Sequence, residues 1–137
     1  MLRAETKSRA RALQLLYAWE LLGAPPMPSV ASGLSRLTGP EPRILDRAEE
    51  LAQGVITAVG ELDAAAAGAS DNWRLNRMAV IDRNILRLGI LELRRGEIPP
   101  KMAIDEAVRL AHWFGGARAP AFVNGVLDGV ARSLGRL

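Results

Sequence analysis

The 137-residue chain contains no cysteine and a single histidine, His112, and aromatic residues make up only 4% of it. The absence of thiols excludes disulfides, thiolate catalysis and zinc sites built on cysteine. Because Arg109, three residues earlier, would repel a cation, we expect His112 to lie on the surface and not to bind metal. With so few aromatics the core must consist of Leu, Val, Ile and Ala, a composition that favours helices over sheets.

Long apolar runs are also missing. No segment approaches the about eighteen uninterrupted apolar residues typical of a membrane span, and the N-terminus lacks the apolar stretch and cleavage site of a signal peptide. The sequence contains no glycine-rich phosphate loop and no HExxH motif. Acidic neighbours such as Glu49 and Glu50 do not face each other on a helix, so they are no acid/base couple. We therefore predict a cytoplasmic protein that is not an enzyme and needs no cofactor or metal.

The apolar residues recur at helical spacing along most of the chain, and no stretch alternates as a strand would. We expect an all-α, single-domain helical bundle of about seven helices in two packed subbundles, at about 1–68 and 73–137. The first helix should turn Ala10, Leu13, Tyr17 and Leu21 towards the core, with Leu16 close to the same face. In the N-terminal half, the predicted helices cover about 4–22, a short segment after Ser29, and 42–68 without a break. In the C-terminal half, they cover 77–95 up to Gly96, the segment between Pro99 and Gly115, and the segment from Pro120. The last helix should turn Phe122 and Leu134 inward.

A basic stripe lies on the predicted first helix. Arg3, Lys7 and Arg11 are spaced at i, i+4 and i+8, with Gln14 next along the stripe and Arg9 beside it. Like charges at this spacing destabilise an isolated helix by about 0.2–0.5 kcal/mol per pair, and a polyanion lying along the stripe would relieve the repulsion. A merely solvated basic face is the alternative.

Arginine dominates the basic residues, since all but two of the 18 are arginine, although the net charge is only +3. The planar guanidinium suits phosphates and base stacking, but a GC-rich genome would produce the same bias.

Two other regions invite a structural and a functional interpretation alike. Asn124 and Gly125 are poor helix formers inside an apolar helix, and we expect Gly125 to permit a close helix contact and Asn124 to bond a neighbouring backbone.

Alternating charges at the start of the central helix form either a solvated, salt-bridged turn or a docking surface. They are Asn76, Arg77, Asp82 and Arg83.

Several sequence blocks, taken in order, resemble the transcription antitermination factor NusB family of small all-helical bacterial proteins. The likeness covers nearly the whole chain. The blocks are ALQLLY at 12–17, WRLNRMAVIDRNILR at 73–87, PP at 99–100, AIDEAV at 103–108, WFG at 113–115 and FVNGVLD at 122–128.

The resemblance implies an RNA-binding adaptor. Its RNA would be boxA, a single-stranded leader element, bound together with NusE, a ribosomal protein of the small subunit. The assembly would act on the RNA polymerase elongation complex with other Nus factors, notably over ribosomal RNA operons. Family members occur as monomers and as homodimers, and the resemblance does not decide between them.

The resemblance also implies site residues. Those expected at RNA are Arg3, Lys7, Arg9, Arg11, Gln14, Tyr17, Phe114 and Arg118. Tyr17 and Phe114 could equally be core residues, and relatives often carry an acidic or polar residue where Arg118 stands. For NusE docking the implied residues are Asn76, Arg77, Asp82 and Arg83, and an acidic Asp82 suits a basic partner.

Two alternatives remain at this point. RNA cytosine methyltransferases can begin with a NusB-like domain, although the chain up to Leu137 contains no cofactor loop and no catalytic cysteine. A helical adaptor that binds only proteins is the other alternative, and a salt-dependent RNA-binding assay would separate it.

Overall fold

The computed structural model describes residues 3–38, 41–70 and 78–137, and this part of the chain is helical without strands. The predicted all-α fold is thereby confirmed. The helices are α1 (Ala4–Leu21), α2 (Met27–Thr38), α3 (Pro42–Thr57), α4 (Val59–Gly68), α5 (Val80–Arg95), α6 (Pro100–Phe114) and α7 (Ala119–Ser133). None of these helices is long and apolar enough to cross a membrane.

The helices form two compact units, Met1–Thr57 with α1 to α3 and Ala58–Leu137 with α4 to α7. The division falls about one helix earlier than the expected boundary near residue 68, because α4 packs against α5 and α7. The continuous helix predicted for 42–68 is wrong, since the chain leaves helical geometry at Ala58. Thr57, Val59 and Gly60 are weak helix formers, so a break costs little there.

In the first unit, α1 packs along α3 and α2 packs against both. Its buried apolar residues are Ala12, Leu13, Leu15, Leu16, Met27, Val30, Ala48, Leu51, Ala52 and Val55. On the surface, Arg47 of α3 donates from Nε to Glu5 of α1 at 3.2 Å and from Nη1 to Glu50 at 3.1 Å.

The inward face predicted for α1 is confirmed in part. Leu13 and Leu16 are buried and Ala10 is half-buried, but Tyr17 and Leu21 are exposed. Thr6 and Ser8, near the start of α1, are buried as well. Because these residues are not apolar, the hydropathy pattern did not indicate them.

The second unit is built around α5, which contacts α4, α6 and α7. Ile85, Leu86 and Ile90 are completely buried, which confirms the prediction of a central helix. Gly96 ends α5 in the left-handed conformation, with φ of 66°, as glycine does at helix ends.

A close contact between two helices occurs at Gly89 and not at Gly125. A Cβ on Gly89 would lie 2.7 Å from Leu127 Cδ1, so α7 packs directly on the α5 backbone there. Nothing lies within 4 Å of a Cβ placed on Gly125, and Asn124 is exposed beside it. The expected packing roles of Asn124 and Gly125 are therefore wrong.

A polar network ties α4 to α5. Arg87 donates to both carboxylate oxygens of Asp63, at 2.7 and 2.9 Å, and to Oδ1 of the buried Asn84 at 3.1 Å. Asn84 in turn donates to the Val80 carbonyl at 3.1 Å. Bidentate pairing gives this interhelical contact a defined geometry.

Candidate nucleic-acid interface

The exposed side of α1 carries a row of basic and polar side chains that ends in an aromatic ring. We call it the α1 basic face, and its residues are Arg3, Lys7, Arg11, Gln14 and Tyr17. Arg3 precedes the helix as its N-cap residue. Arg3, Lys7 and Tyr17 are exposed, whereas Arg11 and Gln14 are half-buried. The row lies opposite the buried side formed by Ala12 and Leu16, so core packing leaves it available.

The positive charge of this face is not neutralised within the part of the chain that is described. Neither Arg3 nor Lys7 forms an ion pair there, and the nearby carboxylate of Glu5 is held by Arg47. Arg11 donates from Nη1 to Oε1 of Gln14 at 2.9 Å. A guanidinium has five N–H donors, so this bond orients Arg11 along the helix and leaves donors for an anion.

Arg9 does not belong to the α1 basic face. Its side chain is buried, with 5% of the residue exposed. Residues two apart on a helix point in directions about 200° apart, so Arg9 faces away from both Lys7 and Arg11. The burial of Arg9 argues against an RNA contact, and stripe spacing alone does not show which side chains of α1 are buried.

Tyr17 lies at the surface, with 42% of the residue exposed. This exposure argues against the alternative that Tyr17 is only a core residue. A phenol ring at the rim of a basic surface can stack on an unpaired base.

The turn between α6 and α7 forms a second candidate surface. Phe114 is the last residue of α6 and is 41% exposed, and Arg118 is the exposed N-cap residue of α7. In the first turn of α7, Ala119 N–H donates to the Gly116 carbonyl at 3.0 Å and Phe122 N–H to the Arg118 carbonyl at 3.2 Å, and Pro120 has no N–H. The Ala121 amide and the positive end of the α7 dipole therefore remain for a phosphate. The exposure of Phe114 argues against a purely packing role.

Asp82 sits at the base of this turn. Its Oδ1 is buried and has no hydrogen-bond partner among the described residues, while the side chain as a whole is half-buried. A Cβ on Gly115 would lie 2.8 Å from this oxygen, 2.8 Å from Ala119 Cβ and 2.9 Å from the Ala111 carbonyl. Asp82 therefore packs on the turn and is not the freely exposed docking residue that the alternating charges suggested.

The other expected docking residues are only partly placed. Arg83 is half-buried and donates from Nη1 to the Met78 carbonyl at 3.1 Å. Asn76 and Arg77 lie outside the described residues. His112 is exposed on α6, as expected.

The sequence did not indicate Trp113 as a site residue, because it stands there only as part of the WFG block that ends a helix. The indole is 44% exposed, and its centroid lies 6.2 Å from that of Phe114 in an edge-to-face arrangement at 88°. The guanidinium carbon of Arg109 lies 5.9 Å from the Trp113 ring centroid. The spacing of Arg109 and Trp113 at i and i+4 on one helix could have indicated this pair. Phe122 and Leu134, both expected inward, are also exposed, by 38% and 44%.

Comparison with known proteins gives a consistent result. The family model described as the NusB family matches residues 6–132. The transcription antitermination protein NusB of Sorangium cellulosum is 44% identical over 135 residues, which cover 98% of this chain and 96% of that protein. That of Myxococcus xanthus is 44% identical over 137 residues, covering 97% and 98%.

Solved structures share the fold. NusB from T. maritima superposes with a TM-score of 0.83 at 27% identity, over 96% of this chain and 93% of that chain. A chain in a crystal structure of the antitermination factors NusB and NusE in complex with double-stranded RNA gives a TM-score of 0.82 at 25% identity, over 97% and 99%.

Proposed function

The chain belongs to the NusB family, and on that premise we propose that it is a transcription antitermination factor that binds RNA and carries out no reaction of its own. The observation that carries the RNA-binding part is the α1 basic face, where Arg3 and Lys7 have no carboxylate partner among the described residues. Such charges attract a phosphate backbone and release its counterions.

The RNA that best fits these surfaces is an unpaired strand, of which the boxA leader element is our candidate. Exposed rings, here Tyr17 and Phe114, stack on bases that are not held in a duplex. Arg118 and the start of α7 would hold phosphate. Since the related complex contains double-stranded RNA, competition between the single strand and its duplex is part of the test.

We propose NusE as the protein partner, because the related complex pairs NusB with NusE. The start of α5 is the proposed docking region, with Arg83 as a contact and Asp82 as both a contact and a support for the α6–α7 turn. We further propose that the two units act as one RNA-binding domain. The protein would work in the cytoplasm, where it would join other Nus factors on the RNA polymerase elongation complex. A homodimer is the proposed alternative to a monomer in the absence of partners.

The two other interpretations receive no support from the relatives. The Sorangium cellulosum and Myxococcus xanthus proteins are named as transcription antitermination proteins. A protein-only adaptor does not account for Arg3 and Lys7, which have no carboxylate partner among the described residues.

The deciding experiment titrates the protein into labelled boxA RNA, with and without purified NusE, and follows fluorescence anisotropy. We expect saturable binding that weakens as salt rises and strengthens when NusE is present. A shuffled strand of equal length measures sequence-independent binding. No RNA binding under either condition would refute the proposal in favour of a protein-only adaptor.

A further inference from the structure

Among the described residues, no aromatic side chain belongs to the buried core, whose apolar residues are Leu, Val, Ile, Ala and one methionine, Met27. Four of the six aromatic residues in the sequence are instead exposed at 38% or more, namely Tyr17, Trp113, Phe114 and Phe122. An aromatic ring left in water forgoes a large burial energy. A ring kept at the surface in a chain so poor in aromatics therefore points to a ligand.

We propose that Trp113, with Arg109 against its ring, is a stacking platform for an unpaired RNA base, additional to the contacts of Phe114 and Arg118. The inference rests on the proposed RNA-binding function and specifies one further nucleotide contact of the same site.

The geometry holds the indole ready for a ligand. Phe114 meets it edge to face, and the Arg109 guanidinium lies against it. Arg109 is itself held by Glu106, whose Oε2 lies 3.3 Å from its Nε. Because Glu106 holds Arg109 against the ring, less side-chain freedom remains to be lost there when a base stacks. The exposed 44% of Trp113 is what remains open after these contacts.

The charges around the ring favour a nucleotide over an apolar partner. Arg109 is paired with Glu106 through its Nε and keeps further guanidinium donors beside the ring. Arg118 adds a cation on the following turn, so a stacked base would have its phosphate near positive charge. An arginine and a tryptophan together are also typical of protein-binding hot spots. RNA is favoured here because Phe114, which touches Trp113, already belongs to the proposed RNA surface.

The direct test uses Trp113 as its own reporter. Replacing Trp19 and Trp73 with Phe leaves Trp113 as the sole tryptophan in the full chain. Titration with single-stranded boxA RNA should quench its fluorescence, with the same midpoint as the anisotropy of labelled RNA. RNA that binds without changing this fluorescence would overturn the platform while leaving the proposed function intact.

Affinity measurements provide the second readout. Trp113→Ala should weaken RNA binding by about 5- to 150-fold, the range expected for one base stacked on an aromatic side chain, whereas Trp113→Phe should keep most of the affinity. Met102→Ala is the matched control, because Met102 is an exposed apolar residue earlier on the same helix and should have no effect. Equal affinities for wild type and Trp113→Ala would overturn the inference.

Abasic substitution identifies the base without altering the protein. One abasic position in the RNA should weaken wild-type binding and remove the difference between wild type and Trp113→Ala. If no abasic position has this effect, the inference is overturned, even if Trp113→Ala fails to fold. If Trp113→Ala loses affinity for NusE and keeps its affinity for RNA, Trp113 contacts the protein partner and the inference is overturned. If wild type binds no RNA at all, it is the proposed function that fails.

Discussion

Oδ1 of Asp82 packs against Gly115 so closely that a Cβ on Gly115 would lie 2.8 Å from it. One carboxylate near the start of α5 thus supports the turn that carries Phe114 and Arg118. This contact joins the proposed partner-docking region to a proposed RNA surface within a single unit of the protein. A substitution at Asp82 should therefore change the stability of the α6–α7 turn, and a substitution at Gly115 should displace the Asp82 carboxylate.

The first prediction concerns Gly115→Ala. The new Cβ would meet Ala119, Asp82 and the Ala111 carbonyl at less than 3 Å. Overpacking of this kind costs about 1–3 kcal/mol of unfolding free energy. Adding Asp82→Ala should restore part of the loss, with a coupling of about 0.5–3 kcal/mol. Urea unfolding of the two single variants and the double variant measures both quantities.

Gly125→Ala is the control for this cycle, since nothing lies within 4 Å of its Cβ position. Alanine in an exposed helix interior should stabilise the protein by about 0.5–1 kcal/mol. If Gly115→Ala proves as harmless as Gly125→Ala, the close packing of the turn is refuted.

The second prediction separates the charge of Asp82 from its packing. Asp82→Asn keeps the shape and removes the charge, so it should slow NusE association without lowering Tm. Asp82→Lys places a longer cation where an oxygen is buried, so it should lower Tm as well. Surface plasmon resonance and thermal melting follow the two effects. Unchanged association in Asp82→Asn would remove electrostatic docking from the role of Asp82.

Much of the fold was predictable because α5 is apolar around most of its circumference, and such a helix has to be central. The buried residues of α1 were not all predictable from hydropathy, because Thr6, Ser8 and Arg9 are buried although all three are polar. Periodicity cannot register a buried arginine, whose burial depends on partners distant in sequence.

The site was partly predictable for a related reason. The spacing of Arg3, Lys7 and Arg11 fixes them on one side of a helix whatever that helix packs against. Spacing could not show that Asp82 touches Gly115, because that contact depends on how α5 meets the α6–α7 turn.

The third prediction tests the α1 basic face. Replacing Arg3, Lys7 and Arg11 with Ala should reduce the slope of log affinity against log salt concentration by up to about 2. Each phosphate neutralised on a single strand contributes about 0.7 to that slope. Helical circular dichroism should be unchanged, because the substitution removes like-charge repulsion and introduces the best helix former. Anisotropy titrations at four salt concentrations give the slope.

A control with the same change in net charge replaces Arg43, Lys101 and Arg132, which are exposed and lie on α3, α6 and α7. Its slope should match that of the wild type. An equal flattening in both triple variants would mean that RNA responds to the overall charge and not to the α1 basic face.

The last prediction concerns Tyr17, at the far end of the α1 basic face. Tyr17→Phe keeps the ring and should retain most of the RNA affinity, whereas Tyr17→Ala should lose about 1–3 kcal/mol of binding free energy. Because 42% of the residue is exposed, the loss of stability should stay below the about 3–5 kcal/mol of a buried aromatic truncation. Leu21→Ala, one turn further along the same exposed side, should alter neither quantity. Melting and RNA titration of the three variants decide the matter: a large fall in Tm with unchanged affinity for Tyr17→Ala would make Tyr17 a packing residue and remove it from the RNA surface.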